Sequence, residues 1–370
     1  MRICRVAQKV YPDVPGGGPY HVHAMSRDQA ARGHDVTVLT VRHDASLPRV
    51  EERDGYTIRR FDPTACVLGN DFSLGLARRL ADLDDVDVVH AHSHLYASTN
   101  VAAIRRSLDD IPLAITNHGL FSQNAPAWAI EGYLRSIGRW TLNRADIVFC
   151  YSEVDERRLR SYGVSTPVAV VRNGIDVDRF SPDGPTSDLI DDDGIVVLFV
   201  GRLVEGKRPK DAVRTLEYLR RDLNDVTLYV CGDGPLRDDL ETAIARRDLV
   251  DHVEFLGHVS YDEMPRLYRS SDVLLLPSRA EGMPRTMLEA QASGLPVVSS
   301  DLDQLRTIRT SADRFVSDDA GSAFAAGVQS VIETNGHLKT TDEPSSRFSW
   351  DRTVEETTTV LERLVTDRHV

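Results

Sequence analysis

Apolar positions in this chain fall into short unbroken runs, separated by longer stretches in which apolar residues recur every three or four positions. The runs Ile3–Ala7, Val36–Val41, Val86–His90, Leu113–Thr116, Ile147–Cys150 and Val168–Val171 carry no polar alternation to speak of. That pattern predicts strands covered on both faces. The windows between them, such as Tyr20–Arg32 and Tyr133–Asn143, carry the helical period. Short apolar strands alternating with helices of this length predict βαβ units and parallel sheet. The alternation stops between Asn173 and Gly194, a stretch rich in Asp, Gly and Pro that reads as an interdomain connection, its Asp191-Asp-Asp193 triplet as a solvated turn. It then resumes. Strands are predicted at Ile195–Val200, Thr227–Cys231, Val253–Leu256, Val273–Leu276 and Pro296–Ser299. Helices are predicted around Pro209–Asp222, Pro235–Asp248, Tyr261–Ser271, Pro284–Ser293 and Asp319–Thr334. The sequence therefore predicts two doubly wound, parallel-sheet α/β domains facing a cleft, residues 1–175 and 176–347. A last amphipathic helix, 348–366, returns to the first. Open sheets of this kind bind ligands beyond the carboxyl ends of their strands, so the loops after strands are where chemistry is expected.

Length agrees with two domains, since 370 residues is more than twice the roughly 150 of an average one. A net charge of −13 argues against a nucleic-acid partner, which needs a basic footprint. Asp supplies 40 of the 57 acidic residues and Lys only 4 of the 44 basic ones. A surface of that kind suits a salt-loaded cytoplasm, as in a halophile, and is also what a GC-rich genome spells. No apolar stretch approaches the roughly 20 residues that span a bilayer, and the N-terminus lacks the apolar core of a secretory leader. Cys4, Cys66, Cys150 and Cys231 lie far apart with no C-x-x-C pair, so buried free thiols are expected rather than zinc ligands, and with them a cytoplasmic location.

Four constellations carry candidate chemistry. Pro15-Gly-Gly-Gly-Pro19 links the first strand to the first helix, where backbone N–H groups favour an anion; it lacks the G-x-G-x-x-G spacing of a dinucleotide site. After the strand Ile195–Val200 come Gly201, Arg202 and Lys207, two cations able to neutralise a diphosphate. After Val273–Leu276 comes Glu281-Gly-Met-Pro-Arg-Thr-Met-Leu-Glu289. Its two carboxylates flank a helix start, with the N–H groups near Arg285 and Thr286 facing an incoming phosphate. Finally, His90, His92 and His94 alternate around the end of one strand and His118 follows another. No carboxylate cluster accompanies them, so no metal site is expected; an imidazole in such a loop suits hydrogen bonding or proton traffic.

Over nearly its whole length this motif series resembles the family 4 retaining glycosyltransferases, which have the GT-B fold of two Rossmann-like domains. The resemblance runs from Gly16-Gly17 and Arg32-Gly-His-Asp-Val-Thr-Val38 through Asp87-Val-Val-His-Ala-His92, Asn117-His-Gly119 and Arg172-Asn-Gly-Ile-Asp176. It continues through Gly201-Arg202 with Lys207 and Gly232-Asp-Gly-Pro235 to the Glu-x7-Glu element, and closes with Phe348-Ser-Trp350. The resemblance implies that Glu289 binds the nucleotide ribose, Glu281 contacts the transferred sugar, and Arg202 and Lys207 hold the diphosphate. Gly16 and Gly17 let the first domain close on the donor; Met283, Pro284, Arg285 and Thr286 complete the donor site; His118 touches the sugar or the acceptor. The chain departs from the family where Met283-Pro284 replaces Phe-Gly, where Pro19 replaces an acidic residue, and where Asp301-Leu-Asp-Gln-Leu305 replaces a Gly-Gly and acid. These departures bear on the choice of sugar and acceptor.

The implied reaction moves a sugar from a nucleoside-diphosphate sugar to an acceptor hydroxyl on a glycan, a lipid-linked carrier or a small molecule, in glycan or polysaccharide synthesis. Fixed cations and helix N–H groups would stabilise charge on the leaving phosphate, so no cofactor and no metal are required. Two other readings share these features: a GT-B sugar-nucleotide epimerase, and a catalytically silent nucleotide- or carbohydrate-binding scaffold. Arg135, Arg139 and Arg144 mark a helix that could face anionic lipid at the inner side of a membrane, or simply solvent.

Overall fold

In the computed structural model, which describes residues 1–67, 69–121, 125–317, 320–335 and 348–367, the chain folds as two compact units. The first comprises Met1–Leu120, Ala127–Arg172 and Asp351–Val370. Its strands are β1 Arg2–Val6, β2 Asp35–Val41, β3 Val50–Arg53, β4 Tyr56–Phe61, β5 Ala65–Val67, β6 Asn70–Phe72, β7 Val88–His92, β8 Leu113–Thr116, β9 Ile147–Cys150 and β10 Val168–Val170. Eight of them form one sheet in the order β10-β9-β8-β7-β1-β2-β4-β3, while β5 and β6 pair separately. Every pairing in the large sheet is parallel except β3 with β4. The helices are α1 Gly17–Ala31, α2 Leu74–Ala81, α3 Ala97–Arg106, α4 Ala127–Tyr133, α5 Arg139–Leu142 and α6 Glu153–Ser161.

The unbroken apolar runs have a direct cause. Along β1 and β2, Cys4, Val6, Leu39 and Val41 pack on one face with Leu76 and Leu80 of α2, Ala102 and Ala103 of α3 and Leu159 of α6. Ile3, Val36 and Val38 pack on the other face with Val22 of α1. Leu361, on the chain's last helix Trp350–Thr366, joins that second cluster, and the Gln29 amide donates to Thr358 Oγ1 at 2.9 Å. Both faces of the sheet are thus dry, and alternation has nothing to report.

The second unit comprises Phe121–Pro126 and Asn173–Trp350. Its strands are β11 Ile195–Val200, β12 Val226–Cys231, β13 Val253–Gly257, β14 Val273–Leu276, β15 Val297–Ser300 and β16 Arg314–Val316. They form an all-parallel sheet in the order β13-β12-β11-β14-β15-β16. This is the doubly wound order in which the chain first builds one way from β11 and then reverses, leaving a switch point between β11 and β14. Helices α7 Pro209–Leu219, α8 Arg237–Ala245, α9 Met264–Arg269, α10 Arg285–Ala292 and α11 Gly321–Asn335 cover it.

Several sequence expectations shift. Residues 173–175 and 348–350 cluster with the second unit, not the first. The third predicted strand lies at Val88–His92, two residues further on, because His90 and His92 pair with Ala114 and Thr116 of β8. The first helix starts at Gly17, three residues early. The hairpin β3–β4 was not predicted although its turn, Asp54-Gly55 with φ of 47° and 84°, carries a recognised hairpin dipeptide. The predicted helix start at Asp319 lies outside the described residues.

Candidate active site

The second unit's polar loops follow β11 and β14, the two strands at the switch point. After β11, Gly201 N donates to the Cys231 carbonyl and Leu203 N to that of Asp233. The loop after β12 therefore lies backbone to backbone on the loop after β11. A Cβ on Gly232, held at φ 139°, would overlap the Gly201 carbonyl oxygen, and one on Gly234 would overlap that of Leu203. The Gly232-Asp-Gly234 motif is thus a packing requirement that fixes the Arg202–Lys207 loop.

That loop ends in a short 3-10 turn, Glu205–Lys207, and Arg208 in the left-handed region caps α7. Lys207 Nζ reaches Glu281 Oε1 at 2.5 Å, and both side chains are largely buried. The two residues come from the loops on either side of the switch point, so the sheet order itself makes the pair. Arg202 is exposed and has no ion pair among the described residues, leaving its cation available to a ligand.

Glu289 sits in a second cluster. Helix α10 begins at Arg285 with Pro284 as N-cap, so Glu289 lies one turn in. Tyr261 donates to Glu289 Oε1 at 3.0 Å and Tyr268 to Oε2 at 3.1 Å. Burial, reinforced by this carboxylate, pushes the Tyr268 hydroxyl well above its usual range, so it remains a donor. The Arg285 side chain turns into the protein. It donates to the Gly174 carbonyl at 2.8 Å and to Tyr261 Oη at 2.7 Å, lies 3.4 Å from Glu289, and stacks 5.4 Å from the Trp350 ring. What Arg285 and Thr286 offer a ligand is the first turn of α10, whose N–H groups precede any intrahelical acceptor. Thr286 Oγ1 is buried with no hydrogen-bond partner among the described residues. Met283 and Pro284 are buried, and the Met283 carbonyl accepts from Asn173.

In the first unit Gly16 caps α1 at φ 130° and Gly17 is its first residue, at the switch point between β1 and β7. The other candidate groups collect at the strand ends beside it. The register pairs His92 with Thr116 and Thr116 with Phe149, so His118 and Tyr151, each two residues further along β8 and β9, emerge side by side. Tyr151 Oη lies 2.6 Å from His118 Nδ1, and His92 Nδ1 lies 3.1 Å from His118 Nε2. His21 of α1 meets the His118 ring edge-on at 5.2 Å. Burial lowers the His118 and His94 imidazoles to about 4 and takes His90 and His92 well below their usual value. Arg5, buried between Ser26 Oγ at 2.7 Å and Gln29 Oε1 at 2.5 Å, adds its charge against His90. All four rings are therefore neutral at pH 7. Among the described residues no group of three or more His, Cys, Asp or Glu is arranged to hold a metal ion.

These neutral imidazoles set an acid limit. The unfolded chain protonates its histidines near 6.5 while the folded one resists to about 4, so the unfolded state binds more protons throughout that window. Stability is then flat with respect to these groups above pH 6.5 and falls as pH drops below it, with uptake of up to about four protons per unfolding event. A pH series of melting temperatures checks this; a Tm unchanged between pH 6.5 and 5 would contradict it.

Sequence reasoning missed Tyr151, Tyr261 and Tyr268. Tyr151 carried a usable signal, since it follows β9 as the other candidates follow their strands. The tyrosines on Glu289 carried none, because only packing of α9 and its flank against α10 brings them there.

The chain has relatives among known proteins. Residues 15–179 match the model for Glycosyltransferase Family 4, and residues 184–346 that for Glycosyl transferases group 1. Glycogen synthase of Mycobacterium tuberculosis is 30% identical over 366 residues, covering 90% of this chain and 86% of that protein. Among solved structures, sucrose-phosphate synthase from Thermosynechococcus elongatus superposes with a TM-score of 0.82 at 19% identity, over 99% of each chain. Anabaena HepE in complex with UDP-glucose superposes with a TM-score of 0.79 at 20% identity, over 99% of this chain and 100% of that one. Two parallel-sheet units in series, with paired polar loops at their switch points, are the GT-B architecture, and the chain belongs to the family 4 glycosyltransferases.

Proposed function

We propose that this glycosyltransferase moves a sugar, with retention at the anomeric carbon, from a nucleoside-diphosphate sugar to an acceptor hydroxyl carried on a carbohydrate or a lipid, without an obligatory metal. The observation that carries the reading is the Lys207–Glu281 pair at the β11/β14 switch point, with the exposed cation of Arg202 on the same loop. Support for the donor class comes from the fold relative that holds UDP-glucose. As the sugar–phosphate bond lengthens, the sugar gains oxocarbenium character and the leaving phosphate gains charge. Lys207, Arg202 and the first turn of α10 are fixed donors for that charge and need no reorganisation as it develops. Glu281 accepts from hydroxyls of the sugar, and Glu289, held by Tyr261 and Tyr268, accepts from the ribose. His118, neutral at pH 7, orients a hydroxyl of the sugar or acceptor rather than supplying a charge. An acceptor carried on a lipid would have the enzyme work at a bilayer surface.

The test is release of nucleoside diphosphate from a panel of nucleotide sugars, with and without EDTA. Turnover that survives EDTA is expected. Loss on chelation restored by Mn²⁺ or Mg²⁺ would replace the cation assignment with a metal, and epimerisation of the donor without transfer would replace the reaction.

Glu289→Ala should weaken nucleoside diphosphate binding about 10- to 100-fold, the range set by about 1.5–3 kcal/mol for a charged hydrogen bond. It should also lower Tm, because it leaves Tyr261, Tyr268 and Arg285 without their shared acceptor. Glu289→Gln keeps the shape and should recover most of the Tm but not the affinity. Unchanged affinity in calorimetry for both variants rejects the ribose role.

A further inference from the structure

Helices α4 and α5 are one continuous run, Ala127–Leu142, interrupted by a single π turn at Leu134–Gly138. In an uninterrupted α-helix, residues twelve apart point roughly 120° away from each other. A π turn takes one more residue to come round, so across it twelve residues advance like eleven, and the same two positions fall within roughly 20°. The residues so aligned are Trp128 and Trp140, which are 77% and 38% exposed, about 16 Å apart along the axis. Ile137, 54% exposed, lies between them. Packing does not require these side chains to be apolar: the run is held to its own unit by other residues. Leu134, Gly138, Thr141 and Leu142 are buried, Tyr133 Oη donates to Asn100 Oδ1 at 3.2 Å, and Thr141 Oγ1 donates to the same atom at 2.7 Å.

The charges around this apolar row are as uneven as its shape. Between residues 125 and 145 stand Arg135, Arg139 and Arg144 against the single acid Glu131, a local charge of +2 in a chain of −13. All three arginines are exposed. Arg135 pairs with Glu131 at 2.9 Å and lies 5.6 Å from the Tyr162 ring, and Arg144 lies 5.5 Å from the Trp140 ring. Exposed indoles aligned on one helix face and flanked by guanidinium groups form the pattern of a helix lying in a lipid–water interface, where indole sits at headgroup level and arginine meets phosphate. No helix among the described residues is long and apolar enough to cross a membrane, so the contact is a surface one.

We propose that this face of the first unit, centred on Trp128, Ile137 and Trp140, docks the enzyme on the surface of an anionic lipid bilayer. Charge complementarity selects the occupant. A second copy of this chain would bring +2 against +2 across a symmetric contact, whereas a layer of lipid phosphates complements that charge. The proposal rests on this surface alone, and it stands or falls separately from the transfer chemistry.

The experiment is co-sedimentation of the full chain with vesicles of phosphatidylcholine, and of phosphatidylcholine with 30% phosphatidylglycerol, at low and at high salt. Binding is expected only to the anionic vesicles and should weaken as salt rises. The triple change Arg135→Gln, Arg139→Gln, Arg144→Gln should lower the anionic-vesicle affinity about 10²-fold, and Trp128→Ser with Trp140→Ser about 10-fold or more. Both variants replace exposed side chains, so Tm should stay within about 2 °C of the parent, and nucleoside diphosphate binding should be unchanged. Absence from both vesicle pellets overturns the proposal, as does equal binding to both vesicle types or full binding by the tryptophan variant. Sedimentation velocity without vesicles covers the remaining occupant: a dimer that the tryptophan variant dissociates would make this face a contact between copies.

Discussion

Lys207→Ala should lower turnover at saturating donor by about 10²–10³, and should do so far more than it lowers nucleotide affinity. Lys207 Nζ sits 2.5 Å from Glu281 Oε1 in a largely buried pair, so its position is fixed before any ligand arrives. A charge held in that way matters most when the phosphate leaves, and removing a preorganised donor of this kind costs about 10²–10³ in kcat. The variant has a second effect that must be separated from the first. It strands the Glu281 carboxylate in a buried position, which costs stability. Arg202→Ala supplies the separation, because Arg202 is exposed and ion-paired to nothing among the described residues. Its loss should lower turnover with no change in Tm. Wild-type turnover in both variants at saturating donor would remove both cations from the diphosphate; a fall confined to the lysine variant, matched by its loss of Tm, would make the pair a structural strut.

His118→Ala should abolish or strongly reduce transfer while nucleoside diphosphate affinity stays near wild type. Every residue assigned to the nucleotide (Arg202, Lys207, Glu289 and the first turn of α10) belongs to the second unit, and His118 belongs to the first. Its two ring nitrogens are met by Tyr151 and His92, which hold the ring plane until a hydroxyl of the sugar or acceptor replaces one of them. Held neutral, with burial lowering it to about 4, the imidazole keeps one role across the range from pH 5.5 to 8. Tyr151→Phe should then give a milder loss, since it removes the hydrogen bond that orients the ring and leaves the ring in place. Paired measurements of nucleotide affinity by calorimetry and of transfer rate test this. Normal transfer by His118→Ala removes the residue from the reaction, and lost nucleotide affinity would mean that the first unit shares in nucleotide binding.

The histidines also show where a linear reading fails. The alternation His90, His92, His94 reads as a strand end followed by a polar loop. In the fold β7 extends through His92, and His90 and His92 are buried in the sheet. The predicted strand Val86–His90 stops short of His92. What lets two imidazoles continue a buried strand is their neutrality and the partners waiting on adjacent strands: Thr116 Oγ1 at 2.7 Å from His90, and His118 beside His92. Arg285 teaches the same lesson from the other side. Its place at a helix start offers a backbone N–H to a phosphate, while what its guanidinium does, held by the carbonyl of Gly174 and the hydroxyl of Tyr261, is set by packing.

Local pattern by itself determined that this chain forms parallel-sheet α/β units with a break near residue 173. It also marked the candidate loops after β1, β8, β11 and β14 and the spacing of Glu281 to Glu289. These are properties of neighbouring residues: a strand buried on both faces must be continuously apolar, a loop after a strand must turn, and two groups on one turn-and-helix segment are held together by that segment. The tertiary structure decided everything that depends on strand order. Hydrophobic period says that β11 and β14 are buried strands, not that the reversal of winding makes them neighbours. That adjacency brings Lys207 to Glu281 across 74 residues of sequence. The same holds for Tyr261 and Tyr268 on Glu289 and for Tyr151 on His118. Such contacts are selected by the packing of whole elements, whose energy is summed over many side chains, so no short stretch of sequence carries them.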